Sequence, residues 1–296
     1  MEIIFLGTSS MVPTKERNQS AVLISYKTEG ILVDCGEGTQ RQLKLAKIPV
    51  SKITKILISH WHGDHTFGLP GLISTMGASN YSKVLEIYGP KGTKKKIEHM
   101  FDAFVFDRRI QLKIVEITQG MFYENDDFSL DALPLNHGME TFGYIFIEKD
   151  RRRINVKKIK EFEIPEGPLL GKLQEGKSID FKGKKITPDE TTYIVKGKRI
   201  GIIADTSPCN NCYKIAKDTD LLICESTYES TLEAKGEEYC HMTAKQAAEI
   251  ANKSNAKKLI LTHFSARYTD VKHVEDDARQ IFDNSKAAWD LMKVDI

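Results

Sequence analysis

Four side chains able to bind metal fall in one short run, Ser59-His60-Trp61-His62-Gly63-Asp64-His65. His60 and His62, two residues apart, can turn both imidazoles to one ion, while Asp64 and His65 come round the following turn to face a second. Nitrogen and carboxylate donors without a thiolate beside them suit zinc, with manganese or iron as alternatives. Three more candidates each follow an apolar, β-branched run: His137 after residues 128–135, Asp205 after 200–204 and His263 after 258–262. Carboxyl ends of strands are where α/β sheets build their sites. The seven residues then divide into two sets: His60, His62 and His137 for one metal, Asp64, His65 and His263 for the other, with Asp205 bridging. Two open sites sharing a water are the arrangement of metal-assisted hydrolysis.

The elements that must position these residues are legible as short periodic runs. Strands are expected at 3–6, 21–25, 31–33, 53–59, 84–88, 128–135, 143–147, 192–195, 200–204, 220–224 and 258–262. Helical spacing appears at 39–46, 69–76, 94–104, 209–216, 243–253 and 274–282. The fold class is therefore α/β, with a mixed sheet or pair of sheets covered by helices, opening on a hairpin in the first 25 residues. Residues 151–185 break the pattern with Pro165, Gly167, Pro168, Gly171, Gly176 and Gly183 and no sustained periodicity, as a long functional loop would.

Composition bounds the rest. At 296 residues, 41% hydrophobic and 28% charged, with a mean hydropathy of -0.35, the chain can bury a sizeable core and is not a disordered polymer. No apolar run approaches the roughly 18 residues of a membrane span, and no leader pattern opens the chain, so neither a membrane nor a secreted setting is expected. Five cysteines are an odd number and too few for a disulfide framework, which favours reduced thiols in the cytoplasm. Net charge is +2, yet residues 151–185 hold 11 Lys/Arg against five Asp/Glu, which makes this segment +6 and the remainder -4. A basic segment on a mildly acidic body points to a polyanion.

Together these motifs resemble the ribonuclease Z (tRNase Z) family of the metallo-β-lactamase superfamily. Asp34, His60-Trp61-His62-Gly63-Asp64-His65, His137, Asp205 and His263 occur in the superfamily's order. Pro13-Thr14-Lys15-Glu16-Arg17-Asn18 is similar to the family's PxKxRN loop, and Asp34-Cys35-Gly36-Glu37-Gly38-Thr39-Gln40 to its first motif. Gly143-Tyr144, Gly167-Pro168-Leu169-Leu170-Gly171-Lys172 and Thr262-His263-Phe264-Ser265-Ala266-Arg267-Tyr268 extend the likeness. The family's HEAT and HST elements stand here as Cys224-Glu225-Ser226-Thr227 and His241-Met242-Thr243.

The resemblance implies an αββα sandwich forming one domain over residues 1–296, with 151–185 as an inserted, protruding basic arm that grips tRNA. It implies a homodimer with two zinc ions per chain (manganese being possible) that cuts precursor tRNA 3′ of the acceptor stem and leaves a 3′-hydroxyl. Asp64 would hold the attacking water and take its proton, and His241, oriented by Glu225, would protonate the leaving oxygen. Lys15, Arg17, Asn18, Gly167, Pro168 and Lys172 would meet the RNA. Asp34 reads either as a strand-end residue bonding its turn or as the orienter of a metal-bound histidine. Cys209 and Cys212 read as inert thiols. The rival readings are a metallo-hydrolase of a small phosphodiester, thioester or lactam, and a noncatalytic RNA-binding module on the same scaffold.

Overall fold

The computed structural model describes residues 1–105 and 109–296. Two seven-stranded sheets carry it. The first runs Lys293–Asp295, Glu2–Gly7, Ala21–Tyr26, Glu29–Val33, Lys55–Leu57, Val84–Gly89 and Gln111–Glu116. Glu2–Gly7, Ala21–Tyr26 and Glu29–Val33 form an antiparallel meander, and from Glu29–Val33 onward the strands are parallel. The second runs Ser285–Ala287, Leu259–Thr262, Leu221–Glu225, Arg199–Ile203, Glu140–Glu148, Phe128–Asn136 and Gly120–Glu124. Its first four strands are parallel, and the two inner ones, Leu259–Thr262 and Leu221–Glu225, read as near-continuous apolar runs, as strands buried on both faces must.

Val22 and Val33 of the first sheet and Ile202 and Ile223 of the second line one narrow internal space, so the sheets face each other. Helices cover the outer faces. Leu69, Leu72 and Met76 of helix Gly68–Ala78 pack with Leu6, Leu23, Leu32 and Ile56 of the first sheet, and Ala247, Ala248 and Ala251 of helix Ala244–Lys253 are buried on the second. This is the expected two-sheet sandwich between helical layers. Strand Lys55–Leu57 is shorter than the apolar run at 53–59 because the Ser59 N–H leaves the ladder for Asp34 Oδ1, at 2.7 Å.

By compactness the chain divides into a unit of residues 1–123, 130–146 and 199–296 and a smaller one of 124–129 and 147–198. The smaller unit includes the stretch expected to be an irregular loop, and that stretch is folded. Strands Arg151–Ile154 and Thr192–Val195 pair antiparallel, Ile179–Phe181 and Lys184–Ile186 form a hairpin, and helices Val156–Glu161, Pro168–Gln174 and Pro188–Thr191 lie between. Its core is Ile159, Ile164, Leu173, Ile179 and Ile186. Elements of three to seven residues that bury one or two side chains each leave no periodicity to detect. Lys157, Lys158, Lys160, Lys172, Lys177, Lys182, Lys184 and Lys185 are all exposed around that core.

So small a core depends on each member. Leu173→Ala is expected to cost about 2–5 kcal/mol, read as loss of amide hydrogen-exchange protection across residues 147–198 with protection in the larger unit retained.

Candidate active site

Strand ends deliver the donors. Val33 and Leu57 are paired in register, and the chain leaves them into Asp34 and the His60 run; Ile203, Glu225 and Thr262 end neighbouring parallel strands that lead to Asp205, Glu225 itself and His263. Tyr144 donates its hydroxyl to the Ile58 carbonyl at 2.6 Å and fixes the strand end just before the motif. Behind the motif, a Cβ on Gly68 would stand 2.0 Å from the Gly36 carbonyl, so only glycine lets the two loops close over Cys35.

The structure brings all seven expected ligands together. His60 Nε2 and His137 Nε2 lie 3.0 and 3.3 Å from His62 Nδ1. Asp205 Oδ2 is 3.8 Å from His60 Nε2, 3.6 Å from His137 Nε2 and 3.3 Å from His65 Nε2. Asp205 Oδ1 is 3.3 Å from His263 Nε2, and Asp64 Oδ2 is 3.3 Å from His65 Nε2 and 3.4 Å from His263 Nε2. Asp205 thus touches both sets, one of His60, His62 and His137 and one of Asp64, His65 and His263.

Groups behind the imidazoles set their tautomers. Ser59 Oγ donates to Asp34 Oδ2 at 2.8 Å and so accepts from His60 Nδ1–H at 3.0 Å; Asp34 Oδ2 also takes His65 Nδ1–H at 2.7 Å. His137 Nδ1–H donates to the Cys240 carbonyl at 2.9 Å. Thr227 Oγ1 donates to Glu225 Oε2 at 2.8 Å and accepts from His263 Nδ1–H at 3.0 Å. Asp34 therefore bonds its turn and orients two imidazoles at once.

With those hydrogens committed, His60 and His137 turn bare Nε2 lone pairs on His62, and His65 Nε2 and Asp205 Oδ1 are buried without a hydrogen-bond partner. His62 Nδ1 can give a hydrogen to only one of the two nitrogens, so an unanswered lone pair and the orphaned Asp205 Oδ1 ask for a cation, and an N/O donor set of this kind fits divalent metal. Charge agrees with that. Burial, with neighbouring imidazoles, holds His60 well below its usual range, and burial with His137 lowers His62, so both are neutral and ready to ligate. Burial would raise Asp64 and Asp205, but facing histidines outweigh it and hold both carboxylates well below their usual range. Burial would lower His65, and Asp205 and Asp34 override it and keep its proton, which metal must displace.

A cavity of about 360 Å³ opens on the cluster and is lined by His62, Asp64, His137, Asp205 and His241 together with Met11, Gln19, Phe67 and Tyr239. His241 Nδ1 lies 3.0 Å from Glu225 Oε1, and Glu225 is itself held by Thr206 N at 2.8 Å. Burial opposes it, yet Glu225 and then Asp205 raise His241 to about 9, so its ring carries a proton at neutral pH.

The expected RNA contacts divide. Lys15 is exposed, but Arg17 is only 7% exposed, and its Nη2 donates to the carbonyls of Tyr268 at 2.6 Å and Ser265 at 3.3 Å. Through these bonds Arg17 clamps its loop, while its Nε has no hydrogen-bond partner. Asn18 donates its amide to the Glu37 carbonyl at 2.7 Å. In the smaller unit, Gly167 at φ 139° precedes Pro168 at the start of its helix, and Lys172 is exposed on that helix. Sequence reasoning missed the roles of Ser59 and Thr227, hydroxyls that lie within named motifs, and the Cys240 carbonyl, which has no sequence signal.

A family model described as anti-Pycsar protein Apyc1 matches residues 1–141, a stretch that includes His137 and stops short of Asp205 and His263. A Bacillus subtilis metallo-β-lactamase fold protein superposes with a TM-score of 0.71 at 17% identity, over 99% of this chain and 98% of its own. Two facing sheets, outer helices and a His/Asp cluster at the strand ends make this a protein of the metallo-β-lactamase fold. Ribonuclease Z of Methanothermobacter thermautotrophicus is 39% identical over 297 residues, covering 100% of this chain and 97% of that one. Human tRNase Z, short form, superposes with a TM-score of 0.74 at 29% identity, over 100% and 99% of the two chains. The chain belongs to the ribonuclease Z family.

Metal analysis after saturation and desalting is expected to give about two ions per chain, the number these donor sets can hold. Asp205→Ala is expected to lose more metal than any single histidine change. In the metal-free protein, NMR should show His241 titrating near pH 9 and moving down in Glu225→Gln. Because the folded value lies above the ordinary 6.5, this proton stabilises the fold fully below pH 6.5, and the contribution fades as pH rises through 9.

Proposed function

We propose that this chain is a tRNA 3′-processing endoribonuclease, hydrolysing a phosphodiester 3′ of the acceptor stem of precursor tRNA and leaving a 3′-hydroxyl. The observation that carries the reading is the pairing of a seven-ligand cluster with a proton-bearing imidazole, His241, on the same cavity wall. Full-length kinship with ribonuclease Z supports it. The donor set suits zinc, with manganese next. We infer two ions, held by His60, His62 and His137 on one side and Asp64, His65 and His263 on the other, with Asp205 between. Such ions, when bound, supply a water of lowered pKa and neutralise charge on phosphate oxygens.

The chain's own groups do the rest. Asp64, held ionised, accepts a hydrogen of the attacking water and orients it; so low a proton affinity favours orienting over storing the proton. With His241 Nδ1 on Glu225, its Nε2 is the nitrogen left to protonate the departing ribose O3′. A cation held at Asp205 would draw His241 down from its metal-free value, toward the range where a general acid works best. The exposed lysines of the smaller unit hold the tRNA body through its phosphates, and Lys15 adds one more cation. We also infer a homodimer, which sedimentation would test, working in the cytoplasm.

A 3′-extended tRNA precursor with zinc or manganese should yield one cut at the acceptor-stem end on a denaturing gel; a metal-loaded protein that leaves it intact sinks the reading. His241→Ala should retain its metals and tRNA binding and cut roughly 10²- to 10⁴-fold more slowly. Glu225→Ala should move the same way by less. Replacing residues 151–185 with a short Gly/Ser linker should abolish precursor cleavage, with hydrolysis of a chromogenic phosphodiester retained at equal metal content.

A further inference from the structure

Close to the cluster, yet unused by the chemistry above, stand two thiols. Cys209 Sγ and Cys212 Sγ lie 3.5 Å apart, and the Cys212 N–H donates to the Cys209 carbonyl at 3.0 Å, so the turn that a Cys-x-x-Cys disulfide needs is already made in the reduced chain. A bond of about 2.05 Å requires only a short approach of the two sulfurs. The thiols are unlike. Cys209 is partly exposed and Cys212 is buried. The hydrogen bond from Cys212 outweighs burial and brings the Cys209 thiol down to about 5, while the same contact and burial push Cys212 up. One accessible thiolate backed by a protonated partner is the division of labour of an attacking and a resolving thiol.

The segment between this pair and the metal cluster is tightly tied. Asp205 is followed by Thr206, whose N–H donates to Glu225 Oε1 at 2.8 Å and whose Oγ1 accepts from Asn136 N at 2.9 Å. Ser207 N donates to the Asn136 carbonyl at 2.9 Å, one residue before His137. After Cys209, Asn211 donates its amide to the Pro134 carbonyl at 2.8 Å. A pull at Cys209 therefore acts on a short strap that ends at the carboxylate facing both ligand sets.

We propose that Cys209 and Cys212 form a reversible dithiol–disulfide site, oxidised by small-molecule disulfides of the glutathione class, whose closure loosens the hold of Asp205 on metal. Cys209 Sγ attacks one sulfur of the oxidant, forming a mixed disulfide and expelling one small thiolate. Cys212 then gives up its proton to that thiolate and attacks Cys209 Sγ, expelling the second, which takes a proton from water. Two protein thiols become one disulfide, two electrons pass to the oxidant, and the oxidant leaves as two thiols. Reduced thiol in excess runs the exchange backwards.

The test uses the metal-loaded full chain in buffers stepped from reduced to oxidised glutathione, trapped with iodoacetamide and mapped by peptide mass. The expected product is a Cys209–Cys212 disulfide that reduced glutathione reverses. Cys212→Ser should accumulate a stable glutathione adduct on Cys209, and Cys209→Ser should leave Cys212 unmodified. Release of metal to a chelator should be several-fold faster from the oxidised wild type than from the reduced, with no change in Cys209→Ser under the same buffers. Absence of the disulfide under oxidising buffer overturns the proposal, as does a disulfide that forms with metal release unchanged.

Discussion

Two ionised carboxylates are buried at the centre of this protein, and the surrounding structure exists to make that tolerable. Asp64 and Asp205 are 7% and 2% exposed. Removing such charges from water costs several kcal/mol each unless opposite charge and donors replace it. Here the replacement is a shell of imidazoles and, on the reading above, divalent metal. Since those imidazoles come from separate loops, the ends of both sheets have to be held in register before any of them can compensate the charge.

That register is kept by a second pair of carboxylates one layer out. Asp34, at the end of a first-sheet strand, reaches His65 directly and His60 through Ser59. Glu225, at the end of a second-sheet strand, reaches His241 directly and His263 through Thr227. Each sheet therefore contributes one acid, one hydroxyl and two imidazoles. The outcome differs in chemistry: behind His65 and His60 the acid fixes ligands, whereas Glu225 also holds a proton on a residue that faces the cavity.

The smaller unit obeys another economy. Its exposed lysines stay in water, where like charges cost little and are screened, and five buried apolar side chains, with five partly buried ones packed on them, shape the surface that carries them. Arg17 shows the opposite case, a cation drawn inside to bind carbonyls and lost to the surface.

From sequence alone the α/β class, the seven His and Asp residues that the fold gathers and the basic segment were readable, because each is written locally. Strand runs are apolar and β-branched, the His60 to His65 spacing is a metal signature, and charge excess is a count. Glu225 and His241 were reachable only through the family resemblance, their spacing having no signature of its own. What the tertiary structure alone decided is which groups meet at a distance: Ser59 and Thr227 as relays, the Cys240 carbonyl behind His137, the inward turn of Arg17, and a folded unit where Gly and Pro suggested a loop. Those features depend on hydrogen-bond partners up to about 250 residues away and on elements too short to show a period, and neither leaves a mark in the order of neighbouring residues.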